Sequence, residues 1–204
     1  MFYETRDNKH GLAHDPFKSC VVPRPIGWIT TVSAEGVPNL APFSFFNGVG
    51  DHPPQVMFAP VGLHRDGGAK DTLRNVELTG EFVANLVTWE LREQMNQTSS
   101  SAARNVDEFE LAGLATAPSR LVKPPRVKAS PIHLECTYLK TVELLADRAD
   151  YPNTAVFGKV VGIHISDEVI TDGRVDMAKF KPVARLGYHD YTVAERVFTL
   201  LPPD

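Results

Sequence analysis

The most regular pattern in the chain is the alternation of apolar and polar residues over residues 132–146. Apolar side chains fall on one parity and mostly polar ones on the other, which is the two-residue period of a β-strand. The pattern predicts a long antiparallel strand with one face on the core and the other in water. His133 and Glu135 lie on the polar, solvent-facing parity.

A second long strand is predicted over residues 155–165, with Gly158 and Gly162 on the same face. Two glycines on one face leave space for another backbone or a flat ligand. Shorter strands are predicted over residues 27–34, 37–46, 55–59 and 81–87. Pro38 and Pro42 make the run 37–46 an edge or bulged strand, because proline cannot donate a hydrogen bond to a sheet.

Helices are predicted to be short and to lie in the connections between strands. One helix begins with Asp71 or Thr72 as its N-cap and stops at Gly80. Thr88 is expected to cap a second helix, and residues 107–111 to form one or two further turns. Strands therefore dominate, which indicates an antiparallel barrel or sandwich with peripheral helices.

Composition and charge narrow the class of protein. The 204 residues are 43% hydrophobic and 23% charged, as in a globular, soluble chain, and the 16 prolines argue against long helices. The formal net charge of −4 argues against a nucleic-acid partner. No apolar run reaches the ~18 residues of a membrane span, and the polar start lacks a signal peptide. We therefore expect no membrane partner and a cytoplasmic location.

Several common catalytic motifs are absent from the sequence. Cys20 and Cys136 form no CxxC pair, and no HExxH, GxSxG or Walker pattern occurs, so no metal site is expected. No GxGxxG follows a predicted strand either. A nicotinamide cofactor would therefore not bind on a Rossmann unit.

Three segments are candidates for ligand binding. Lys70 stands just before a predicted helix start, after two glycines at 67 and 68. A lysine beside the unpaired N–H groups of a helix N-terminus favours an anion. The alternative is an ordinary capped surface helix.

The second candidate is the strand with Trp28, Thr30 and Thr31, where the indole could lie on a planar ring and the hydroxyls could bind oxygens. The alternative is a core tryptophan. The third is the run 39–48, where prolines prevent normal pairing and free backbone groups for a heterocycle. The alternative there is a bulged edge strand with core phenylalanines.

Taken together, these segments resemble the flavin reductase-like family of FMN-binding split-barrel proteins. The matching stretches are residues 22–33 (VPRPIGWITTVS), 36–58 (GVPNLAPFSFFNGVGDHPPQVMF), 70–75 (KDTLRN) and 81–85 (EFVAN), with a looser match from 157 to 187. Each motif alone is weak, whereas their ordered set is specific for the fold.

The resemblance implies a mainly β fold with peripheral helices, a Greek-key antiparallel split β-barrel. It implies one FMN-binding domain over residues 1–204. The sequence departs from simple members of the family in a helical or loop insertion at about 88–128, which we expect to cover the site. The resemblance also implies a homodimer with FMN near the interface. By resemblance, the cofactor-binding residues are Trp28, Thr30, Thr31, Asn39, Ser44, Phe45, Phe46, Asn47, Lys70, Asp71, Thr72, Arg185 and Tyr188.

Within that set, Lys70, Asp71 and Thr72 match the family's phosphate-side motif. Arg185 and Tyr188 match a C-terminal region that reaches the flavin, from the partner subunit in one arrangement. The remaining residues match strands that flank the flavin ring and the ribityl chain.

The resemblance implies an oxidoreductase that passes hydride from NADH or NADPH to FMN and electrons on to an acceptor. The cofactor would carry the chemistry, so no catalytic residue is assigned. Two alternatives stay open: a non-enzymatic FMN-binding electron carrier or redox sensor, and a split-barrel protein that binds haem or a deazaflavin.

Overall fold

The structure is a computed structural model that describes residues 1–104 and 106–203. Short 3₁₀ turns occupy Trp89–Leu91 and Asp167–Val169. The other elements, in chain order, are α1 (Phe17–Cys20), β1 (Arg24–Pro25), β2 (Gly27–Val32), β3 (Pro38–Phe43), β4 (Phe46–Asp51), β5 (Pro54–Phe58), α2 (Asp71–Thr79), β6 (Glu81–Leu86), α3 (Arg92–Gln97), α4 (Glu108–Leu111), β7 (Thr116–Ala117), β8 (Arg126–Val127), β9 (Ile132–Leu144), β10 (Asn153–Ile165), β11 (Ile170–Thr171), β12 (Arg174–Val175), α5 (Met177–Phe180), β13 (Val183–Arg185) and β14 (Tyr191–Val193).

The main sheet is antiparallel and has the strand order β3-β2-β6-β9-β10-β5-β4. Its two edge strands, β3 and β4, follow each other in the chain and are separated only by Ser44 and Phe45. The sheet must therefore curl until its two edges meet at this point. After β5 the chain returns through α2 to place β6 beside β2, which is a Greek-key connection. The prediction of a mainly β, Greek-key barrel that is split along one side is confirmed.

The inside of the curled sheet holds one apolar cluster. Its largest buried members come from six strands, and α2 adds two further side chains. These residues are Ile29, Phe43, Phe46, Phe58, Phe82 and Val156, with Leu73 and Val76 from α2.

A second cluster lies on the outer face of β2 and β3, under the segment 88–128. Trp28 is at its centre and is 0% exposed. The side chains packed with it include Leu40, Leu91, Met95, Phe109 and Val127. Four of these, all but Leu40, come from the segment 88–128, which we call the insertion. The insertion therefore supplies the outer half of the core.

The prediction that His133 and Glu135 face water is wrong. The two side chains are 3% and 0% exposed. Glu135 accepts hydrogen bonds from the backbone N–H groups of Arg120 and Leu121, which belong to the insertion. The alternating pattern correctly predicts the strand but cannot reveal the segment that covers its polar face.

The run 37–46 is two strands rather than one. Strand β3 ends at Phe43 and β4 begins at Phe46, because the chain crosses from one sheet edge to the other between them. Phe46 packs so closely on Gly27 that a Cβ added there would lie 2.4 Å from the ring. The edge position predicted for this run is confirmed for β3, which ends the sheet.

The predicted helices are present, but two of their caps differ. The N-cap of α2 is Lys70, and its side chain makes no capping hydrogen bond, so neither Asp71 nor Thr72 is the cap. Thr88 precedes a 3₁₀ turn that leads into α3, also without a side-chain cap. The stop at Gly80 is confirmed, since Gly80 has φ 74° and its N–H donates to the carbonyl of Val76.

The space beside the two glycines of β10 is filled by the protein itself. A Cβ at Gly158 would lie 2.3 Å from the ring of Phe82, and one at Gly162 would lie 3.2 Å from Leu121. The flat group beside Gly158 is thus a core side chain and not a ligand. In the described residues, no helix is both long enough and apolar enough to cross a membrane.

Candidate functional site

A cavity of about 170 Å³ lies between the outer edge of β3, the start of α2 and the chain after α3. We call it the Lys70 cavity. The residues that line it include Asn39, Pro42, His64, Lys70, Asp71, Thr72, Thr98, Ser99, Ser100, Ser101 and Glu108. Four residues that the sequence predicts for the site, Asn39, Lys70, Asp71 and Thr72, therefore share one cavity.

Lys70 contributes a positive charge that no carboxylate neutralises in the described part of the chain. Its side chain is half-buried, and this burial lowers the pKa of the ammonium group. It occupies the N-cap position of α2, where the first backbone N–H groups of the helix lack partners within the helix. An anion in the cavity would gain from both features.

The neighbouring carboxylate of Asp71 is compensated by other residues. Arg104 forms a close ion pair with it and also donates to the carbonyl of Ala69. His64 Nε2 and Arg74 Nη1 lie 3.5 Å and 3.7 Å from the Asp71 oxygens. Asp71 therefore leaves the charge of Lys70 available to a ligand.

Asn39 is held by a network that joins β3 to the insertion. Its Nδ2 donates to Glu108 Oε1 at 3.0 Å and to Oε2 at 3.1 Å, while its Oδ1 accepts from Thr72 Oγ1 at 2.8 Å. The backbone N–H of Leu40 also donates to Glu108 Oε2, at 2.9 Å. On β3, the positions two before and two after Leu40 are Pro38 and Pro42, which have no N–H to donate. Glu108 therefore pairs with the N–H that β3 has between these prolines on its edge.

The pKa of Glu108 is raised. Burial is the main cause, and the nearby charge of Asp71 adds to it, while the hydrogen bonds from Leu40 and Asn39 offset part of the effect. Glu108 as a residue is 8% exposed, and its carboxylate has no cationic partner in the described residues. Glu108 lines the wall of the cavity and orients the Asn39 amide.

Consecutive hydroxyl groups over residues 98–101 form the wall opposite α2. Thr98 is structural, since its Oγ1 accepts from Trp28 Nε1 at 2.8 Å and donates to the carbonyl of Met95. Ser99 donates to the carbonyl of Asn96 at 2.6 Å. The hydroxyls of Ser100 and Ser101 make no hydrogen bond in the described part of the chain and are exposed. They are donors that a ligand could use.

The predicted strand residues Trp28, Thr30 and Thr31 lie in the core, each at 0% exposure. The ring of Trp28 has no free face, so the alternative of a core tryptophan describes its position. Thr30 accepts from Asn85 Nδ2 at 2.9 Å, and Thr31 accepts from Asn75 Nδ2 at 3.0 Å. None of the three lines the Lys70 cavity.

The predicted run 44–47 spans the β3–β4 connection and the start of β4, and it does not line that cavity either. Phe46 is buried, Ser44 and Phe45 are half-buried, and Asn47 is exposed. The ring of Phe45 lies 5.7 Å from the Arg24 guanidinium carbon, and its carbonyl accepts from the Ala59 N–H at 2.8 Å. Their predicted contacts with a flavin ring stay a prediction.

Arg185 and Tyr188 belong to a different part of the surface. Arg185 donates to the Tyr191 hydroxyl and to the carbonyl of Tyr188, and it lines a cavity of about 600 Å³ beside Trp89 and Arg92. Tyr188 is exposed. Within one chain, the structure does not bring these two residues to the Lys70 cavity.

Sequence reasoning missed several residues of the site. The hydroxyl run 98–101 is visible in the sequence, but nothing local indicates that it meets α2. His64, Arg104 and Glu108 come from separate loops and from α4, so only the fold brings them to Lys70 and Asn39.

The match to known proteins defines the class of this chain. The model of the flavin reductase like domain matches residues 19–192, so the chain belongs to this family of flavin proteins. A protein of Aquifex aeolicus is 41% identical over 175 residues, which cover 85% of this chain and 86% of that protein.

Two solved structures extend the likeness over almost the whole chain. Nitrilotriacetate monooxygenase component B from Bacillus cereus is 28% identical, with a TM-score of 0.88 and 98% of both chains covered. The 2-nitrobenzoate 2-nitroreductase NbaA of Pseudomonas fluorescens is 29% identical, with a TM-score of 0.83, and the match covers 99% of this chain and 96% of that one.

Proposed function

We propose that this protein is an FMN-dependent oxidoreductase that takes hydride from NADH or NADPH and delivers the electrons to a separate acceptor. Family membership supports flavin as the ligand. The similar nitroreductase and monooxygenase component support an enzyme over a passive carrier.

One observation carries the proposal: a half-buried lysine without a carboxylate partner in the described residues, at the start of a helix and opposite free hydroxyls. This donor set fits a phosphate monoester such as that of FMN. Lys70 and the N–H groups of α2 would bind the phosphate, and Ser100 and Ser101 would donate to its oxygens.

FMN, when bound, accepts hydride from a nicotinamide and passes electrons on one or two at a time. The chain itself needs only to bind and orient. Glu108 fixes the Asn39 amide at the cavity wall. The ion pair with Arg104 offsets the negative charge of Asp71, which would otherwise repel the phosphate.

The size of the cavity supports a homodimer. Its volume of about 170 Å³ is smaller than the ~300–1,000 Å³ that enclose most small ligands. We therefore propose that it takes the phosphate end, and that the ring lies outside it against a second copy. Arg185 and Tyr188 would reach the ring from that copy. Sedimentation of the full chain at micromolar concentration should give a dimer, and a monomer would contradict this part.

The phosphate role is tested by Lys70→Ala. Loss of a charge-assisted contact should weaken FMN binding by ~1–3 kcal/mol, or roughly 5- to 150-fold in Kd. The measurement is a fluorescence titration of FMN with the purified protein.

Lys159→Ala is the matched control, because Lys159 is exposed on β10 and does not line the Lys70 cavity. Equal FMN affinity in both variants would remove Lys70 from the site.

The oxidoreductase reaction is tested separately by anaerobic stopped-flow mixing of the FMN-loaded protein with NADH or NADPH. Bleaching of the visible flavin band with one of them is expected. A protein that binds FMN but bleaches with neither would be an electron carrier instead.

A further inference from the structure

A group of positive charges lies away from the Lys70 cavity, where the start of β9 and the end of β10 meet the last part of the insertion. A cavity of about 370 Å³ opens there. We call it the Arg126 groove. It is defined by Arg120, Arg126, Lys128, His164, Ile163 and Ile165.

The groove carries a local excess of positive charge in a chain whose net charge is −4. Arg120, Arg126 and Lys128 form no ion pair in the described part of the chain, and none of its described lining residues is a carboxylate. Glu135 lies beneath but is 0% exposed, and its oxygens are already occupied by backbone N–H groups and His164. The three cations are therefore uncompensated.

Arg126 is held in place with donors to spare. Its Nε and Nη2 donate to the carbonyl of Pro118 at 3.2 and 3.1 Å, and its Nη1 lies 3.4 Å from His133 Nδ1. His133 Nε2 donates to the carbonyl of Val127 at 2.8 Å, so its Nδ1 is the acceptor. A guanidinium has five N–H groups, and these contacts use three of Arg126's. Two stay available to an anion.

An apolar strip lies beside the cations. Ile163 and Ile165 occupy alternate positions on β10 and are 55% and 41% exposed. Two exposed β-branched side chains on one face give a planar group an apolar surface next to the positive charge. The groove therefore suits a ligand with an anionic end and a flat apolar end.

The Arg126 groove is separate from the Lys70 cavity. Pro42 of β3 lines the cavity and pairs with Trp28 of β2. The next cross-strand partners are Asn85 on β6, His133 on β9 and His164 on β10, and His164 lines the groove. These are four steps between neighbouring strands, or ~19 Å along the curved sheet at ~4.8 Å each. One small ligand end cannot occupy both places.

We propose that the Arg126 groove binds a nucleotide, with its phosphate on Arg126, Arg120 and Lys128 and its base on Ile163 and Ile165. Arginine binds phosphate through paired N–H groups, and lysine adds a point charge. The site does not depend on FMN binding at Lys70.

The test is isothermal titration calorimetry of the full chain, saturated with FMN, at low ionic strength. Adenosine 5′-monophosphate should bind saturably, whereas adenosine and inorganic phosphate should each bind at least tenfold more weakly. Arg126→Gln should weaken the binding of adenosine monophosphate about tenfold, and Lys128→Gln should weaken it to a lesser degree. Lys128 is exposed and makes no side-chain hydrogen bond in the described residues, so its variant guards against misfolding of the first.

Arg148→Gln is the matched control, since Arg148 is an exposed arginine near the opposite end of the same hairpin, paired with Asp150. It should leave binding unchanged, and so should Lys70→Ala. Loss of nucleotide binding in Lys70→Ala alone would move the ligand to the Lys70 cavity and overturn the proposal. The absence of saturable binding, or inorganic phosphate binding as tightly as the nucleotide, would overturn it as well.

Discussion

Two buried glutamates fasten the insertion to the barrel from opposite directions. Glu108 belongs to the insertion and accepts from β3, through Asn39 and the backbone of Leu40. Glu135 belongs to β9 and accepts from the insertion, through the backbone N–H groups of Arg120 and Leu121. One contact borders the Lys70 cavity and the other underlies the Arg126 groove.

The two carboxyl groups differ in the direction of their pKa. Burial raises the pKa of Glu108, because its partners are neutral and Asp71 adds negative charge nearby. Burial would also raise the pKa of Glu135, but the hydrogen bonds from Arg120, His164 and Leu121 outweigh it, and the pKa is lowered. His164 Nε2 lies 2.5 Å from Glu135 Oε1.

The difference shows that burial alone does not fix the role of a carboxylate. Each oxygen of Glu135 accepts from a backbone N–H, which can only donate, so the ionised form of Glu135 is required for the fold. Glu108 accepts from one backbone N–H, that of Leu40, and its other partner is the Asn39 amide, which can turn because the Thr72 hydroxyl can accept as well as donate. One oxygen is therefore enough, and the ionised form of Glu108 is only tolerated. We therefore expect conservative substitutions to separate the two.

The largest effect is expected for Glu135→Gln. A glutamine has one oxygen where two are needed, and in either orientation its NH₂ group would face a backbone N–H, that of Arg120 or that of Leu121. Breaking such a buried, charge-assisted arrangement should cost ~3–5 kcal/mol of unfolding free energy. Urea denaturation followed by circular dichroism measures it. Glu143→Gln, an exposed site on the same strand, should change stability little; equal stability of the two variants would show that Glu135 does not fasten the insertion.

The next effect concerns His133, which lies beside Glu135 and supports Arg126. Burial is the main reason that its pKa falls from 6.5 to about 4. The folded state then disfavours the proton, so the stabilisation is complete above pH 6.5 and is lost as the pH falls towards 4. One pKa unit corresponds to ~1.4 kcal/mol, which makes the loss about 3 kcal/mol across this window.

The comparison is made with His133→Asn, whose unfolding free energy should change much less between pH 6.5 and 4 than that of the natural chain. The unfolding free energy of the variant is lower because it loses the hydrogen bond to the Val127 carbonyl. The readout is therefore the change of unfolding free energy with pH and not its absolute value. Parallel slopes would assign the acid sensitivity to other groups.

The same pair of glutamates shows how far sequence reasoning reaches. Alternation predicts β9 almost to the residue, since a strand with one core face imposes a period of two. It places Glu135 in water, because an alternating pattern records polarity and not what later covers a face. The insertion that covers it is held by long-range contacts that no local window contains.

The residues of the candidate site also differ in whether the sequence alone predicts them. Lys70 is predictable because a lysine at a helix start is a local feature. Glu108 is not, because it meets Asn39 across 69 residues of chain. The sequence around Trp28 predicts contact with a planar ligand, yet Trp28 is buried under the insertion, and its indole N–H donates to Thr98 Oγ1.

The smallest effect, and the sharpest test of the comparison, is expected for Glu108→Gln. Glutamine can still accept from the Leu40 N–H, and Asn39 can turn its amide so that its oxygen faces the new NH₂ group, because the Thr72 hydroxyl can accept instead of donate. At pH 7 the change in unfolding free energy should stay within ~1 kcal/mol.

The raised pKa of Glu108 means that the folded state holds its proton more tightly. Stability should therefore fall as the pH rises from 4.5 through the folded pKa, and this fall should vanish in Glu108→Gln but persist in Glu110→Gln, an exposed site on the same helix. A loss at pH 7 as large as that of Glu135→Gln would mean that both glutamates are needed in ionised form, and the distinction between them would not hold.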